Sequence, residues 1–256
     1  MKYIRYSYQS RTGWGVLDGE TVRPLEKAPW LGLSRCGDVI PLHGARLLAP
    51  VAPSKIVAVG HNYQDHAEEM REDMPDEPVL FLKPLTSLNN PEGTVNYPKL
   101  SKRVDYEGEL AFVVGRVARC VRAEEANDYI FGYTCLNDVT ARDLQKKDGQ
   151  WVRAKGFDGF APVGPWLVTD VDVSQVSIVT RVNGVVKQSD NTSRMVWSVP
   201  ELLAFISSCM TLMPGDLVTT GTPAGIGPLE PGDTVEVEIE NIGVLRNYVM
   251  EETGGR

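Results

Sequence analysis

Asp105-Tyr106-Glu107-Gly108-Glu109-Leu110 sets two glutamates on either side of a glycine, at the head of an apolar run that continues to Val114. If a strand starts here, both carboxylates point to one face, because side chains repeat every second residue along a strand. About thirty residues later, Leu136-Asn137-Asp138-Val139-Thr140 offers a third carboxylate. Three carboxylates with no thiol nearby form an all-oxygen donor set, which suits a hard divalent cation such as Mg²⁺ or Mn²⁺. The same spacing recurs in Thr234-Val235-Glu236-Val237-Glu238-Ile239-Glu240. That stretch reads as an edge or surface strand with a solvated polar face. Spacing alone therefore leaves the Glu107, Glu109 pair open between a metal shell and a solvated strand.

Composition narrows the class. The 256 residues, 42% of them hydrophobic, suffice for one large domain, or one domain with a small appendage. No apolar run with a small-residue cleavage site opens the chain, and no segment reaches the roughly twenty apolar residues that span a membrane, so a cytoplasmic protein is expected. Cys36, Cys120, Cys135 and Cys209 lack any zinc-type spacing and read as small buried residues of a reducing compartment. The net charge of -8, with dispersed Lys and Arg, argues against nucleic acid and anionic membranes as partners. It also means that an anionic substrate needs local positive charge.

Short β-type runs dominate. Lys2 to Tyr8, Trp14 to Leu17 and Glu20 to Pro24, with a turn at Asp18-Gly19, suggest a small N-terminal β domain over residues 1–50. Pro50 and Pro53 mark a joint, which leaves residues 51–256 as the catalytic domain. There, strands are expected at Lys55 to Val59, Val79 to Leu82, Leu110 to Val114, Tyr129 to Leu136, Trp166 to Thr169, Val176 to Val182, Leu217 to Thr220 and Thr234 to Ile239. Helices are expected at Asp65 to Met70, with Asp65 as N-cap, and at Val199 to Met210. The fold class is mainly β with α (α+β).

Several stretches together resemble the fumarylacetoacetate hydrolase superfamily in its single-catalytic-domain branch. They are Val59 to Glu69, Phe81-Leu82-Lys83-Pro84, Asp105 to Leu110, Asn137 to Gln145, Ala154 to Asp158, and Thr219 to Gly227. The resemblance implies a mixed β-roll catalytic domain, usually a homodimer. It implies Mg²⁺ or Mn²⁺, or Ca²⁺ in a crystal, on Glu107, Glu109 and Asp138. It also implies small anionic 2-oxo carboxylates as substrates: acylpyruvates, oxaloacetate or ring-cleavage dienedioates.

Charge sets what else such a site needs. Cleaving the bond next to a 2-oxo group leaves an enolate, which a chelated divalent cation stabilises as a Lewis acid. Three carboxylates around one dication leave about -1, so the candidates for balancing an anionic substrate are Lys155, Lys83 and Arg142. By resemblance, Lys155 lies near metal and substrate, whereas Lys83 and Arg142 read equally well as structural ion pairs. His66 and Glu69, three apart, share a helix face, where the carboxylate can orient the imidazole. The resemblance matches them to a pair that activates water. His61 reads as a rim or structural residue. Gln145, seven residues after Asp138, would share a face with it if Asp138 opens a helix. By resemblance, Gln145 contacts substrate or metal water, and Thr222 with nearby amides holds the substrate carboxylate. The segment Arg71 to Glu77 is expected to be a mobile loop that shapes specificity. Hydrolysis of an acylpyruvate is the first expectation, because the His-Glu pair is there to activate water. The alternatives are oxaloacetate decarboxylation, 2-hydroxyhepta-2,4-diene-1,7-dioate isomerisation, and metal-dependent 2-oxo acid binding without turnover.

Overall fold

The computed structural model describes residues 1–252; the last four residues of the expected 51–256 domain lie outside the described residues. The fold is mainly β, with four α-helices among the described residues: α1 Gln64–Met70, α2 Arg142–Asp148, α3 Val152–Lys155 and α4 Val199–Cys209. None of these is long and apolar enough to cross a membrane.

Two large sheets carry the molecule. The first holds twelve strands, and the strand Gly108–Val114 lies well inside it between Ile130–Asn137 and Leu217–Thr219. All seven of its residues are buried, so it reads as a near-continuous apolar run. Leu110, Phe112 and Val114 face one core, shared with Leu202, Leu203 and Ile206 of α4 and with Val237 and Ile239. Ala111 and Val113 face the other core, with Leu136, Val163, Leu167 and Tyr3. The second sheet has five strands in the order Val185–Asn191, Ser177–Val182, Thr234–Ile239, Gly243–Glu251, Thr94–Tyr97. Both sheets mix directions: Leu217–Thr219 runs parallel to Ile56–Gly60, and Gly243–Glu251 parallel to Thr94–Tyr97.

The N-terminal strands extend the first sheet. Lys2–Tyr8 pairs antiparallel with Ala161–Val168, Lys2 opposite Val168 and Tyr3 opposite Leu167. Beyond it follow Arg11–Asp18, Thr21–Leu25 and Ile40–Pro41.

Four expectations change. Of the four cysteines only Cys135 is buried; Cys36 is half-buried, and Cys120 and Cys209 are exposed. Thr234–Ile239 is no edge strand: it lies between two neighbours, with Val235, Val237 and Ile239 buried. Its glutamates form cross-strand ion pairs, Glu238 with Arg181 at 2.5 Å and Glu236 with Arg246 at 2.7 Å. Asp65 does not cap α1. Tyr63 holds the cap position, and Asp65 sits in the first turn, paired with Arg194. The strand Ala161–Val168 starts five residues before Trp166, because Gly164 and Pro165 interrupt the apolar pattern without ending the strand. They fall at a register shift against Tyr133–Cys135, where a sheet tolerates both residue types.

Candidate metal centre and active-site cavity

Glu107 sits in a break between the strands Val104–Tyr106 and Gly108–Val114, so the glutamate pair is not simply one face of one strand. Side chain and backbone bonds hold this break to the Asp138 loop. Glu107 N–H donates to Asn137 Oδ1 at 2.9 Å, and Asp138 N–H donates to Glu107 O at 2.8 Å. These bonds bring the third carboxylate to the first two. Carboxylate oxygens of Glu107, Glu109 and Asp138 lie within 4.8 Å of one another, and all three residues are buried.

Buried cations meet two of the three. Lys155 Nζ bridges Glu107 Oε2 and Asp138 Oδ2, each at 2.6 Å. Lys83 Nζ lies 2.5 Å from Asp138 Oδ1 and donates to the Lys155 carbonyl at 2.5 Å. Arg142 joins Glu107 to Asp105, the latter at 2.9 Å, and donates to Gln145 Oε1 at 2.6 Å. Burial alone would raise the Glu107 carboxyl, but Lys155, Arg142 and His66 outweigh it and hold it far below the usual range. Burial would lower Lys155, yet Asp138 and Glu107 raise it, so it stays charged. For Lys83, burial wins over Asp138 and lowers the ammonium.

Glu109 stands apart. It accepts from Gly221 N–H at 2.8 Å and from the Thr219 hydroxyl, and no lysine or arginine among the described residues pairs with it. Burial, then Asp138 and Glu107, push its carboxyl well above the usual value. A buried carboxylate crowded by two others and lacking a cation is what a divalent ion relieves. The all-oxygen donor set fits a hard one.

The cluster's two glutamates line a cavity of about 400 Å³ together with Arg142, Lys155, His66 and Thr222, among others; Asp138 is not among its lining residues. His66 Nδ1 lies 3.4 Å from Glu69 Oε2 on α1. Gly225 N–H donates to both Glu69 oxygens, at 3.2 and 3.1 Å. Burial raises the Glu69 carboxyl, but the bonds from His66 and Gly225 lower it further, so it stays ionised. His61 faces the same cavity, with a left-handed φ of 55° and Nε2 3.1 Å from Glu72 in the segment after α1.

The structure thus brings Glu107, Glu109, Asp138, Lys155, Arg142, Lys83, His66 and Glu69 into one region, with differences of detail. Lys83 lies behind Asp138 and is not among the residues lining the cavity. Gln145 lines it, but not by sharing a helix with Asp138: a short strand, Thr140–Ala141, intervenes, α2 begins at Arg142, and Gln145 is placed through Arg142. The Thr222 hydroxyl donates to Gly108 O and accepts from Gln188 Nε2, both at 2.8 Å. The amides of Gly221 and Gly225 serve the protein's own carboxylates, Glu109 and Glu69. Gln188, Asp105 and Asn137 escape the sequence reading because each acts through distant partners.

Residues 55–250 match the family model described as fumarylacetoacetate (FAA) hydrolase C-terminal. The chain belongs to the fumarylacetoacetate hydrolase family. Residues 1–50 match a second model, Rv2993c-like, N-terminal. A 2,4-didehydro-3-deoxy-L-rhamnonate hydrolase from Sphingomonas sp. is 44% identical over 98% of this chain and 96% of its own. The crystal structure of a 2-hydroxyhepta-2,4-diene-1,7-dioate isomerase from Mycobacterium marinum is similar with TM-score 0.92 and 45% identity, over 99% of this chain and all of that one. A maleylpyruvate hydrolase from Sphingobium sp. SYK-6, solved with manganese(II) and pyruvate, is similar with TM-score 0.82 and 29% identity, over 99% and 100%. Family members thus carry both hydrolase and isomerase names, and one is seen with a divalent metal.

Proposed function

We propose that this member of the fumarylacetoacetate hydrolase family is a divalent-metal-dependent enzyme that hydrolyses a carbon–carbon bond of an acylpyruvate-type 2-oxo acid, giving pyruvate and a carboxylic acid. One observation carries the reading: Glu107 and Glu109 of a buried three-carboxylate cluster and a carboxylate-oriented histidine line one cavity. A divalent cation held by Glu107, Glu109 and Asp138 supplies Lewis-acid stabilisation for negative charge developing on the 2-oxo group.

The chain's own groups do the rest. Glu69 faces His66 Nδ1, which leaves Nε2 to take a proton from water. The hydroxide so formed adds to the distal carbonyl carbon. The bond from that carbon to the methylene then breaks, its electron pair passes to the pyruvate portion, and the methylene carbon takes up a proton. Lys155 and Arg142 offset the charge of the substrate carboxylate. The Glu69–Gly225 bonds keep the base oriented while the products part.

A second reading, isomerisation of a dienedioate or decarboxylation of oxaloacetate, uses the same carboxylate cluster without activated water. The likeness to a structure named as such an isomerase favours keeping it in view. The test is pyruvate release from acetylpyruvate in the presence of Mg²⁺. Turnover that EDTA abolishes supports the proposal. No turnover of acetylpyruvate, together with metal-dependent turnover of oxaloacetate or the dienedioate, replaces it with the second reading. A Mg²⁺-linked thermal shift with oxalate and no turnover of any of them indicates a binding protein.

A further inference from the structure

The base and the carboxylate cluster reach the site on separate stretches of chain. His66 and Glu69 stand on α1, which follows the strand Ile56–Gly60, whereas Glu109 is held by Thr219 and Gly221 at the exit of the strand Leu217–Thr219. These two strands are parallel neighbours, with Leu217 opposite Ile56 and Val218 opposite Val57. Their pairing stops there, and each chain then turns, His61 with a left-handed φ of 55° and Gly221 with one of 89°. Past this point something else has to fix the distance from base to metal, on which attack by activated water depends.

Asn62 spans the gap. It is fully buried, and its side chain meets both sides. Nδ2 donates to Thr220 O at 2.8 Å and to Trp197 O at 3.0 Å, while Oδ1 accepts from Trp197 N–H at 2.8 Å. Its backbone carbonyl accepts from Val196 N–H at 2.9 Å. The amide thus uses both protons and its oxygen, and the flipped amide would set that oxygen against two carbonyls. Gly221 packs on the same residue: a Cβ there would lie 2.8 Å from Asn62 Cβ. The polar ties that α1 itself makes to other segments lie nearer the solvent. Asp65 pairs with Arg194 where both side chains are about half exposed, and Glu69, partly exposed, reaches Gly225.

Resting on the function proposed above, we infer that Asn62 is a positioning residue: by tying the root of α1 to Thr220, it sets the distance from the His66 imidazole to the metal-binding carboxylates. The Thr220 end is the fixed one. Thr220 N–H and its hydroxyl both donate to Leu110 O, at 3.1 and 2.9 Å, one residue along from Glu109. Loss of the Asn62 side chain therefore frees α1 and leaves the cluster in place. A base displaced by about 1 Å loses on the order of 10²-fold in rate. Chemistry that uses the metal without activated water is spared.

The experiment sets Asn62→Ala and Asn62→Ser beside the parent enzyme with Mg²⁺. Alanine leaves Thr220 O, Trp197 O and Trp197 N–H unmet, while serine keeps a hydroxyl for one of them. In both variants kcat for pyruvate release from acetylpyruvate falls by about 10- to 100-fold. KM, the calorimetric Mg²⁺ affinity and the decarboxylation of oxaloacetate stay near the parent values, a split that general loss of folded protein does not produce. Equal losses on both substrates, or an unchanged kcat on acetylpyruvate, overturn the role. A second readout needs no turnover. Mn²⁺ in the cluster broadens histidine ring signals steeply with proximity, and the chain has only three histidines. The broadening of His66 drops in the variants while Mn²⁺ affinity holds; unchanged broadening overturns the role. If the parent hydrolyses no acylpyruvate yet His66 responds in this way, the hydrolytic reading fails and the positioning stands. Should neither variant fold, the tie is read in the parent by exchange into D₂O: the Asn62 side-chain protons exchange as slowly as Gly221 N–H, and fast exchange overturns the tie.

Discussion

His66→Ala removes the nitrogen that takes the proton from water, while leaving the carboxylate cluster in place. Pyruvate release from acetylpyruvate should fall by about 10²–10⁴-fold, the usual worth of a positioned base. Decarboxylation of oxaloacetate, followed in parallel, should fall much less; equal losses would remove His66 from the base role. Gln188 makes a different kind of contribution. Its side chain accepts from Gly108 N–H at 3.0 Å and donates to Thr222 Oγ1 and Pro223 O at 2.8 Å, fixing the peptide between the two glutamates. Gln188→Ala leaves those buried groups unmet, which should cost about 1–3 kcal/mol of stability. It should also weaken Mg²⁺ binding in a calorimetric titration; an unchanged affinity would show that Gln188 serves the fold alone. The carboxylates and the His66, Glu69 pair are legible through the family resemblance of the short stretches that hold them, since local spacing alone leaves the Glu107, Glu109 pair open and places Asp138 about thirty residues away. The sequence hides Gln188, since nothing in Val186-Lys187-Gln188-Ser189 indicates that Gly108 lies beside it.

Among the elements, the strand Gly108–Val114 is the most exacting, being buried on both faces. Phe112→Ala should cost about 3–5 kcal/mol, read from denaturant unfolding, because the surrounding core closes only partly around such a hole. The turn at Met213 to Asp216 joins this sheet to the start of the expected catalytic domain. Asp216, buried, accepts from Ser54 N–H at 2.9 Å, Lys55 N–H at 3.1 Å, Met213 N–H at 2.8 Å and Lys55 Nζ at 2.5 Å. Burial raises its carboxyl, but the bonds from Lys55, Met213 and Ser54 outweigh that and lower it. Its folded-state pKa therefore lies below the unfolded value of about 3.9. The stability it contributes is fully present above that value and is lost as pH falls through the folded pKa. Asp216→Asn should accordingly flatten the acid limb of a stability–pH curve below about pH 4; an unchanged limb would count against the Asp216 contribution. Apolar runs announce most strands correctly. Elements defined by long-range pairing are less legible: the interior place of Thr234–Ile239 follows from its neighbours, and the start of Ala161–Val168 from a register shift.

On the scale of the whole molecule, a divalent ion that enters the carboxylate cluster binds only the folded chain. At about a hundred times its Kd, Mg²⁺ should stabilise the protein by about 2.7 kcal/mol, seen as a rise in Tm that EDTA reverses. A Tm indifferent to Mg²⁺, Mn²⁺ and EDTA would remove the metal centre. The family and fold class are legible in six short stretches, because those stretches supply the site. How they meet is not, since Asp105 with Arg142 and Glu109 with Gly221 are pairings of remote segments. The pairing of Lys2–Tyr8 with Ala161–Val168 has a consequence for how the chain is made. At about 5–20 residues per second, on the order of ten seconds separate the emergence of these two strands from the ribosome. For that interval the first strand, with Tyr3 and Ile4 destined for the interior, has only its hairpin neighbour and the short strand Arg46–Leu48 to pair with. Until Leu167 and Val168 emerge, the edge at Lys2 and Tyr3 that they cover stays unpaired, the kind of edge that templates association with other chains.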